Sequence, residues 1–269
     1  MSLRIIVLAK QVPDTRNVGK DAMKEDGTIN RAALPAIFNP EDLNALEQAL
    51  RLKDAYPGST VTLLTMGPGR AAEIIREGLY RGADGGYLLT DRAFAGADTL
   101  ATSYALATAI KKINDYDIIL GGRQAIDGDT AQVGPQIAEK LELPQITYAG
   151  DIKVEGKEVV VKRMLEDGYM NIKMKTPCLI TCIKELNEPR YMSTYGIFSA
   201  YEKPVDVFDY NTLKDEPLID PNTIGLQGSP TNILISFTPP LKGAGVILEG
   251  ADKNTANELA GILEKKHVI

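Results

Sequence analysis

The strongest constraint on the fold is a regular alternation of short apolar runs with longer segments whose apolar residues recur at helical spacing. The apolar runs lie at residues 4–8, 60–66, 86–90 and 116–120, and the helical segments begin near residues 39, 70, 99 and 130. Strands that alternate with helices at this interval form a parallel sheet with helices on both faces and right-handed crossovers. We therefore predict an α/β fold with an open, mostly parallel sheet.

From Ile152 onward the pattern changes. Residues 152–161 predict two short strands around Glu155 and Gly156, residues 169–175 alternate, and residues 178–183 form a continuous apolar run. Short strands joined by tight turns are typical of antiparallel pairing. We therefore expect an antiparallel extension of the sheet.

The chain beyond Lys203 is rich in proline and has few periodic runs before a terminal helical segment marked by Ala256, Leu259, Ala260 and Leu263. The prolines are Pro204, Pro217, Pro221, Pro230, Pro239 and Pro240, and the retained apolar residues are Ile233, Leu234, Ile235, Phe237, Val246, Ile247 and Leu248. Such a segment is more typical of an arm packed on a partner than of a disordered tail. We expect a nucleotide-binding α/β domain at 1–203 and an extended C-terminal arm at 204–269.

Composition argues against several classes of function. The 269 residues are 44% hydrophobic, and their net charge of −6 disfavours a general nucleic-acid or anionic-membrane binder. No apolar run approaches the roughly 20 residues of a membrane span, and the N-terminal run predicts a strand, not a signal peptide. Cys178 and Cys182 are too few for a disulfide framework or a metal cluster, and the only histidine is His267. We expect a cytoplasmic protein without a metal, in which both cysteines are buried small hydrophobes.

Residues 120–135 read Leu-Gly-Gly-Arg-Gln-Ala-Ile-Asp-Gly-Asp-Thr-Ala-Gln-Val-Gly-Pro and join an apolar strand to a helix. The glycines let the backbone bend sharply and approach a ligand. Asp127, Asp129 and Thr130 are typical of helix starts, and Pro135 suits a first helical turn. Free N–H groups at such a start bind anions, and this end of the strand faces the ligand crevice of an open α/β sheet. Phosphate binding and an ordinary strand-to-helix turn both stay open.

The connection between the first strand and the first helix is unusually long. Residues 12–35 are polar and include Pro13, Gly19, Gly27 and Pro35. An ordinary connection of this kind has roughly 2–6 residues, so the segment is either functional or partly disordered. The helix itself is predicted to begin at 39–42, Asn-Pro-Glu-Asp, with a cap, a proline and acids in its first turn.

Four segments together resemble the beta subunit of the electron-transfer flavoproteins over essentially the whole chain. They are Asn-Pro-Glu-Asp at 39–42, the glycine-rich run 122–134, the stretch 163–181 and Asn-Glu-Pro-Arg-Tyr at 187–191. The third contains Arg163, Glu-Asp-Gly at 166–168 and Pro-Cys-Leu-Ile-Thr at 177–181, as in the family signature. Met170 departs from that signature, which usually has Glu or Gln there.

This resemblance implies an alpha-subunit partner that carries an FAD, and an adenine nucleotide bound in this chain between its strand ends, AMP in housekeeping members. The positions that match the family's nucleotide contacts are Ala9, Asn39, Pro40, Glu41, Asp42, Met66, Arg123, Gln124, Ala125, Ile126, Asp127, Gly128, Asp129, Thr130, Ala131, Gln132, Val133 and Gly134. The segment after Tyr191 resembles the loop by which these proteins dock on acyl-CoA dehydrogenases. The C-terminal arm is expected to embrace the alpha subunit.

Two further features resemble the electron-bifurcating branch of the family. One is the insert at 11–31, and the other is the segment 91–99, Asp-Arg-Ala-Phe-Ala-Gly-Ala-Asp-Thr. In that branch a second FAD replaces the AMP and takes a hydride from NADH. One electron then goes to a ferredoxin or flavodoxin, and the other goes through the alpha-subunit FAD to a dehydrogenase. The resemblance therefore implies FAD in this chain and NADH as its electron donor.

Several residues have a functional and a structural interpretation. Arg123 is favoured as a cation near a flavin ring or phosphate over a solvated arginine, and Thr130, Gln132 and Gly134 are favoured as phosphate-loop residues. Asp129 is equally well explained as an acceptor for a ribose hydroxyl or as a helix cap. Met66 is either a core residue or a contact to adenine or isoalloxazine. The segment 91–99 is either a surface loop or an NADH contact.

No nucleophile–base pair or acid–base carboxylate pair emerges from the sequence, so no catalytic residue is predicted. A flavin carries its own redox chemistry, and the protein supplies position and electrostatics. We predict a beta subunit that binds FAD in a heterodimeric, bifurcating electron-transfer flavoprotein. The alternatives are a housekeeping AMP-binding beta subunit and a non-redox adenine-nucleotide-binding module. The antiparallel extension and the long arm disfavour the non-redox module, because such a module does not need an arm that embraces a partner.

Overall fold

The computed structural model describes residues 1–14, 35–203, 205–231, 243 and 245–269. The strands are β1 (Arg4–Leu8), β2 (Gln11–Pro13), β3 (Ala36–Phe38), β4 (Thr60–Met66), β5 (Gly85–Leu89), β6 (Ile118–Gly122), β7 (Gln145–Glu155), β8 (Glu158–Leu165), β9 (Gly168–Lys175), β10 (Cys178–Cys182) and β11 (Val205–Phe208). The helices are α1 (Pro40–Ala55), α2 (Ala72–Arg81), α3 (Thr99–Ile113), α4 (Val133–Lys140), α5 (Thr194–Ala200), α6 (Tyr210–Leu213) and α7 (Lys253–Lys265).

Nine of these strands form one sheet in the order β11-β5-β4-β1-β6-β10-β7-β8-β9, and β2 pairs with β3 separately. The pairs from β11 to β7 are all parallel. The pairs β7–β8 and β8–β9 are antiparallel. The predicted parallel sheet with an antiparallel extension is therefore confirmed.

The central strands are buried on both faces, which explains why they are continuous apolar runs. In β1, Ile5 and Val7 pack on the side of α1 and α2. Ile6 points to the opposite face and packs on the side of α3 and α4. Both cysteines of β10 are buried and free, and burial raises the pKa of the Cys178 thiol to about 12. Helices therefore cover both faces, as predicted, and the cysteines behave as small core residues.

The helix ends follow local sequence rules. Pro40 begins α1, with Glu41 and Asp42 in its first turn. Asp98 caps α3, which begins at Thr99, by accepting the N–H of Ala101. Gly82 ends α2 with a φ of 122°, a conformation that side-chain-bearing residues rarely adopt. The largest differences from the expected boundaries are in β6, which lies at Ile118–Gly122, and in β7, which begins as early as Gln145.

The chain beyond Lys203 begins by continuing the main sheet. Strand β11 pairs in parallel with β5 at the edge, and Leu213, Ile219 and Ile224 are buried in the core beside α3. The sheet therefore includes residues 205–208. The sequence did not reveal this strand, because four residues are too few to show a period. The division into a domain and an arm stays a prediction.

Within the described part of the C-terminal segment, α7 buries none of its residues, and Val246 and Ile247 are exposed. Residues 15–31 of the predicted insert lie outside the described residues, as do Pro204, Ile233, Leu234, Ile235, Phe237, Pro239 and Pro240. None of the helices that the structure describes is both long and apolar enough to cross a membrane.

We predict that two adjacent glycines of β5, Gly85 and Gly86, differ in how much stability they lose on substitution by alanine. A Cβ on Gly86 would overlap Ile75 Cγ2, where α2 packs on the sheet, whereas no described atom lies within 4 Å of a Cβ on Gly85. Overpacking of this kind costs about 1–3 kcal/mol. Gly86→Ala should lower the free energy of unfolding in urea by that amount, and Gly85→Ala should change it little. Equal effects would contradict this account of the packing.

Candidate functional site

The candidate site lies where the carboxyl ends of β1 and β6 meet. The chain leaves β1 toward β4 on one side, while β6 lies on the other, so the strand order reverses at this point. Ligands of open α/β sheets bind in the crevice outside the strand ends at such a reversal. The first turn of α1 and the loop at 123–132 both lie here, next to each other.

The side chain of Asp42 joins the two strand ends. It is 7% exposed; its Oδ2 accepts the N–H of Lys10 at 2.8 Å, and its Oδ1 accepts the N–H of Gly122 at 2.9 Å. A Cβ on Gly122 would lie 2.5 Å from Asp42 Oδ1 and 2.8 Å from the Asp42 backbone nitrogen. Glycine is therefore required there, because the start of α1 approaches the end of β6 this closely.

Burial dominates the protonation of the acids in this turn. It raises the pKa of Asp42 to about 7, against the opposing effects of hydrogen bonds from Asn39 and from the N–H groups of Lys10 and Gly122. It also raises the pKa of Glu41, although the nearby Arg123 guanidinium and the N–H of Gln124 act in the opposite direction. Asp42 is thus close to its titration point at neutral pH.

The first turn of α1 also holds the loop at 123–132. Asn39 Nδ2 donates to the Gln124 carbonyl at 2.9 Å, and Asn39 Oδ1 accepts the N–H of Ile126 at 3.1 Å. Glu41 accepts the N–H of Gln124 at 3.1 Å and pairs with the Arg123 guanidinium at 3.0 Å. Asn39 stands at the helix cap, as predicted, but among the described residues its side chain makes no capping bond and bonds to the loop.

Polar contacts within and around the loop give it a defined shape. Gln124 Nε2 donates to Asp129 Oδ1 at 2.9 Å, and Lys10 Nζ pairs with Asp127 at 2.7 Å. Asp129 and Ala131 adopt left-handed backbone conformations, with φ values of 50° and 53°. Helix α4 begins only at Val133, so Asp129 does not cap it. Of the two roles considered for Asp129, acceptor for a ribose hydroxyl and helix cap, the helix cap is wrong, and the ribose contact stays a prediction.

Arg123 is held in place by several contacts, although 32% of its side chain is exposed. Its backbone N–H donates to the Cys182 carbonyl at 2.8 Å, and its guanidinium carbon lies 5.7 Å from the ring centroid of Tyr148. Within the described chain its Nε is buried and has no hydrogen-bond partner. The rest of the side chain is partly exposed, so the site contains a fixed, accessible cation, which suits an anionic or electron-rich ligand.

The remaining predicted positions surround this centre. Ala9 follows β1 and donates its N–H to Leu64, and Met66 ends β4 and packs partly against the core beside α3. Gln132 accepts a hydrogen bond from the Thr99 hydroxyl at 2.9 Å, which connects the start of α3 to the loop. Sequence reasoning missed Lys10, whose only signal was its place two residues beyond a strand.

Gly134 has a packing role that the sequence did not reveal. A Cβ there would lie 2.6 Å from Thr181 Cγ2 and 3.7 Å from Leu179 Cδ2. The glycine therefore lets the first turn of α4 pack closely on β10. A bulky substitution would disturb this contact as well as any ligand at the helix start.

The segment 91–99 is fastened by its two acids. Asp91 accepts the N–H groups of Ala93 and Tyr210 at 2.9 and 3.1 Å. Asp98 accepts those of Ala101 and Thr231 at 3.0 and 3.1 Å. These bonds tie the segment to the chain beyond Lys203, and an NADH contact there stays a prediction.

Comparison with known proteins agrees with this arrangement. A model of the electron transfer flavoprotein domain matches residues 26–213. The "Acryloyl-CoA reductase electron transfer subunit gamma" of Anaerotignum propionicum is 57% identical over 99% of this chain and 100% of its own length. The "Caffeyl-CoA reductase-Etf complex subunit CarD" of Acetobacterium woodii is 51% identical over the same shares. An "Electron transfer flavoprotein subunit beta" from Thermoanaerobacterium thermosaccharolyticum is 50% identical, again over 99% of this chain and 100% of its own length.

The chain therefore belongs to the electron transfer flavoprotein family, as a beta-type subunit, and the resemblance found in its sequence is confirmed.

We predict that the effect of Gly134→Ala on stability arises from contact with Thr181. The variant should lose about 1–3 kcal/mol of unfolding free energy, because both partners are in a packed interface. Thr181→Ser removes the clashing Cγ2, so the double variant should regain most of the loss in urea unfolding. If the serine restores nothing, the packing explanation is wrong. If stability returns but nucleotide retention does not, the glycine also acts at the ligand.

We predict a pH dependence of stability that originates at Asp42. Its pKa is raised from 3.8 to about 7 in the folded chain, so the fold binds this proton more tightly than the unfolded chain does. The resulting stability is fully present below the unfolded pKa and is lost as the pH rises through the folded one. Wild-type unfolding free energy, measured in urea between pH 5 and pH 8, should therefore fall more steeply than that of Asp42→Asn. Parallel profiles would contradict the assignment.

Proposed function

We propose that this chain is the beta subunit of a heterodimeric electron transfer flavoprotein and that it binds FAD in the crevice between β1 and β6. The observation that carries the proposal is the partly exposed guanidinium of Arg123, which Glu41 and Tyr148 fix at the strand ends. A cation in this position fits a reduced flavin ring or a phosphate, because both concentrate negative charge. The N–H groups at the start of α4 suit the diphosphate.

The proposed contacts are those that the resemblance implied. Arg123 would lie beside the flavin ring or a phosphate, and Asp129 would accept a ribose hydroxyl. Backbone N–H groups near Thr130, Gln132 and Gly134 would face the diphosphate. Ala9 and Met66 would line the crevice from the neighbouring strand ends, and residues 39–42 would hold the loop in its binding shape.

FAD supplies the redox chemistry in this proposal, and the protein supplies position and charge. We propose NADH as the electron donor, with bifurcation between a ferredoxin or flavodoxin and, through the FAD of the alpha subunit, an acyl-CoA-type dehydrogenase. The names of two similar proteins support an acyl-CoA-type dehydrogenase as the partner, since they describe electron-transfer or Etf-complex subunits of acryloyl-CoA and caffeyl-CoA reductases. We expect the complex to work in the cytoplasm.

Exposed apolar surface supports the proposed partners. Tyr191 is 96% exposed, and Tyr195, Phe198 and Tyr201 follow it at 83%, 73% and 65%. We call these four residues the aromatic patch. Contiguous exposed apolar residues mark interaction sites, and we assign the aromatic patch to the dehydrogenase. Val246, Ile247 and Leu259, on the chain beyond residue 243, are assigned to the alpha subunit.

The test is to co-express the chain with its alpha subunit, quantify FAD and AMP per heterodimer, and mix the complex anaerobically with NADH. We expect two FADs, of which the one in this chain is bleached by NADH. One FAD and one AMP, or two FADs that NADH leaves oxidised, would assign the chain to the housekeeping branch. A complex without flavin would favour the non-redox nucleotide module.

A further inference from the structure

A second buried acid on α1 binds a different part of the chain. The buried acidic residues among those described are Asp14, Asp42 and Glu47, and two of them belong to this helix. Asp42 faces the strand ends. Glu47 is five residues farther on, which turns it to another side of the helix, toward the segment that precedes the aromatic patch.

Glu47 binds Arg190 through both its backbone and its side chain. Glu47 Oε2 accepts the backbone N–H of Arg190 at 3.1 Å and its Nε at 2.8 Å, and Oε1 accepts from an Arg190 terminal nitrogen at 3.3 Å. That nitrogen also bonds to Asp54 at 2.9 Å. Burial opposes ionisation of Glu47, but hydrogen bonds from Arg190 and Arg51 hold its pKa below the ordinary value. The carboxylate is therefore charged when it binds the arginine.

The same helix holds the start of this segment. Asn44 Nδ2 donates to the Asn187 carbonyl at 2.7 Å, and Asn187 Nδ2 donates back to the Asn44 carbonyl at 3.0 Å. Asn187 and Arg190 are thus bound by Asn44 and Glu47, which lie about one turn apart on α1. The backbone carbonyl of Arg190 accepts a hydrogen bond from Arg81 of α2. Arg190 is therefore bound directly by Glu47 and Asp54 of α1 and by Arg81 of α2.

The aromatic patch begins at the next residue and is held by α2 at its far end. The Tyr80 and Tyr201 hydroxyls lie 3.0 Å apart, and the Arg76 guanidinium carbon lies 5.2 Å from the Tyr201 ring centroid. A Cβ on Gly196 would overlap the Tyr80 carbonyl oxygen, so α5 packs closely on α2. Between these attachments Tyr191, Tyr195 and Phe198 stay exposed.

We propose that Glu47 and Arg190 are positioning residues that fix the aromatic patch in the orientation in which it docks on the redox partner. The inference rests on the proposed function, because it assigns the patch to a dehydrogenase. An ordered patch binds more tightly than a mobile one, since less side-chain and backbone freedom is lost on docking. Helix α1 then supports the nucleotide crevice with its first turn and the docking surface with its next turns.

The test compares Arg190→Gln and Glu47→Gln with the matched control Arg51→Gln, all in the alpha–beta complex. Arg51 shares the carboxylate of Glu47 at 2.8 Å, but half its side chain is exposed and its one other hydrogen bond in the described chain is a long one, to the Glu188 carbonyl at 3.5 Å. The probe is acryloyl-CoA reductase of Anaerotignum propionicum. NADH-dependent reduction of acryloyl-CoA is followed anaerobically at varying concentrations of the complex, with ferredoxin present to accept the other electron of each NADH, and flavin content is measured for every variant.

We expect both test variants to raise the KM for the complex about tenfold with little change in kcat, as loss of pre-ordering predicts. Arg51→Gln should behave as wild type, Arg190→Lys should recover part of the loss, and hydrogen exchange at 191–201 should accelerate in both test variants. An unchanged KM in Arg190→Gln, with an active wild type, overturns the inference alone. A fall in kcat and flavin content with KM unchanged also overturns it, as a general structural defect. A wild type that passes no electrons to the reductase refutes the proposed docking function, and the inference with it.

Discussion

The candidate site depends on one carboxylate, that of Asp42, which joins the backbone ends of β1 and β6. Two parallel strands that diverge at a reversal of strand order leave N–H groups at their ends, and these require acceptors when they are buried. Asp42 supplies both acceptors from the first turn of α1. The neighbouring Asn39 and Glu41 use the same turn to shape the loop that follows β6. The crevice is thus assembled by a helix start and not by the strands alone.

The two buried acids of α1 differ in charge state because their partners differ. Asp42 accepts mainly neutral N–H groups, so burial dominates and raises its pKa to about 7. Glu47 accepts from two guanidinium groups, which outweigh burial and lower its pKa. Hydrogen bonds to charged donors are roughly twice as strong as neutral ones. One helix therefore carries one acid whose pKa is raised, at the crevice, and one whose pKa is lowered, beside the aromatic patch.

The chain beyond Lys203 contributes to the fold of this subunit itself, apart from any contact with a partner. Strand β11 extends the sheet, and Asp98 binds Thr231 while it caps α3. Thr99, the residue after Asp98, bonds to Gln132, so two consecutive residues link this segment to the loop at 123–132. The position of the C-terminal segment and the shape of the crevice wall are therefore connected through the start of α3. The exposed α7 leaves apolar surface that suits the proposed alpha subunit.

The sequence by itself determined the elements that local patterns encode. Strand and helix periods predicted β1, β4, β5, α2 and α3 nearly to the residue, and the quoted motifs identified the family. Tertiary structure decided which polar groups meet. Asn39 was predicted as a cap and binds the loop 85 positions away, Gly134 packs on Thr181, and Glu47 binds Arg190 across 143 positions. Periodicity carries no information about such pairs, because it reports which face of an element is buried, whereas partners are chosen by how distant elements pack together.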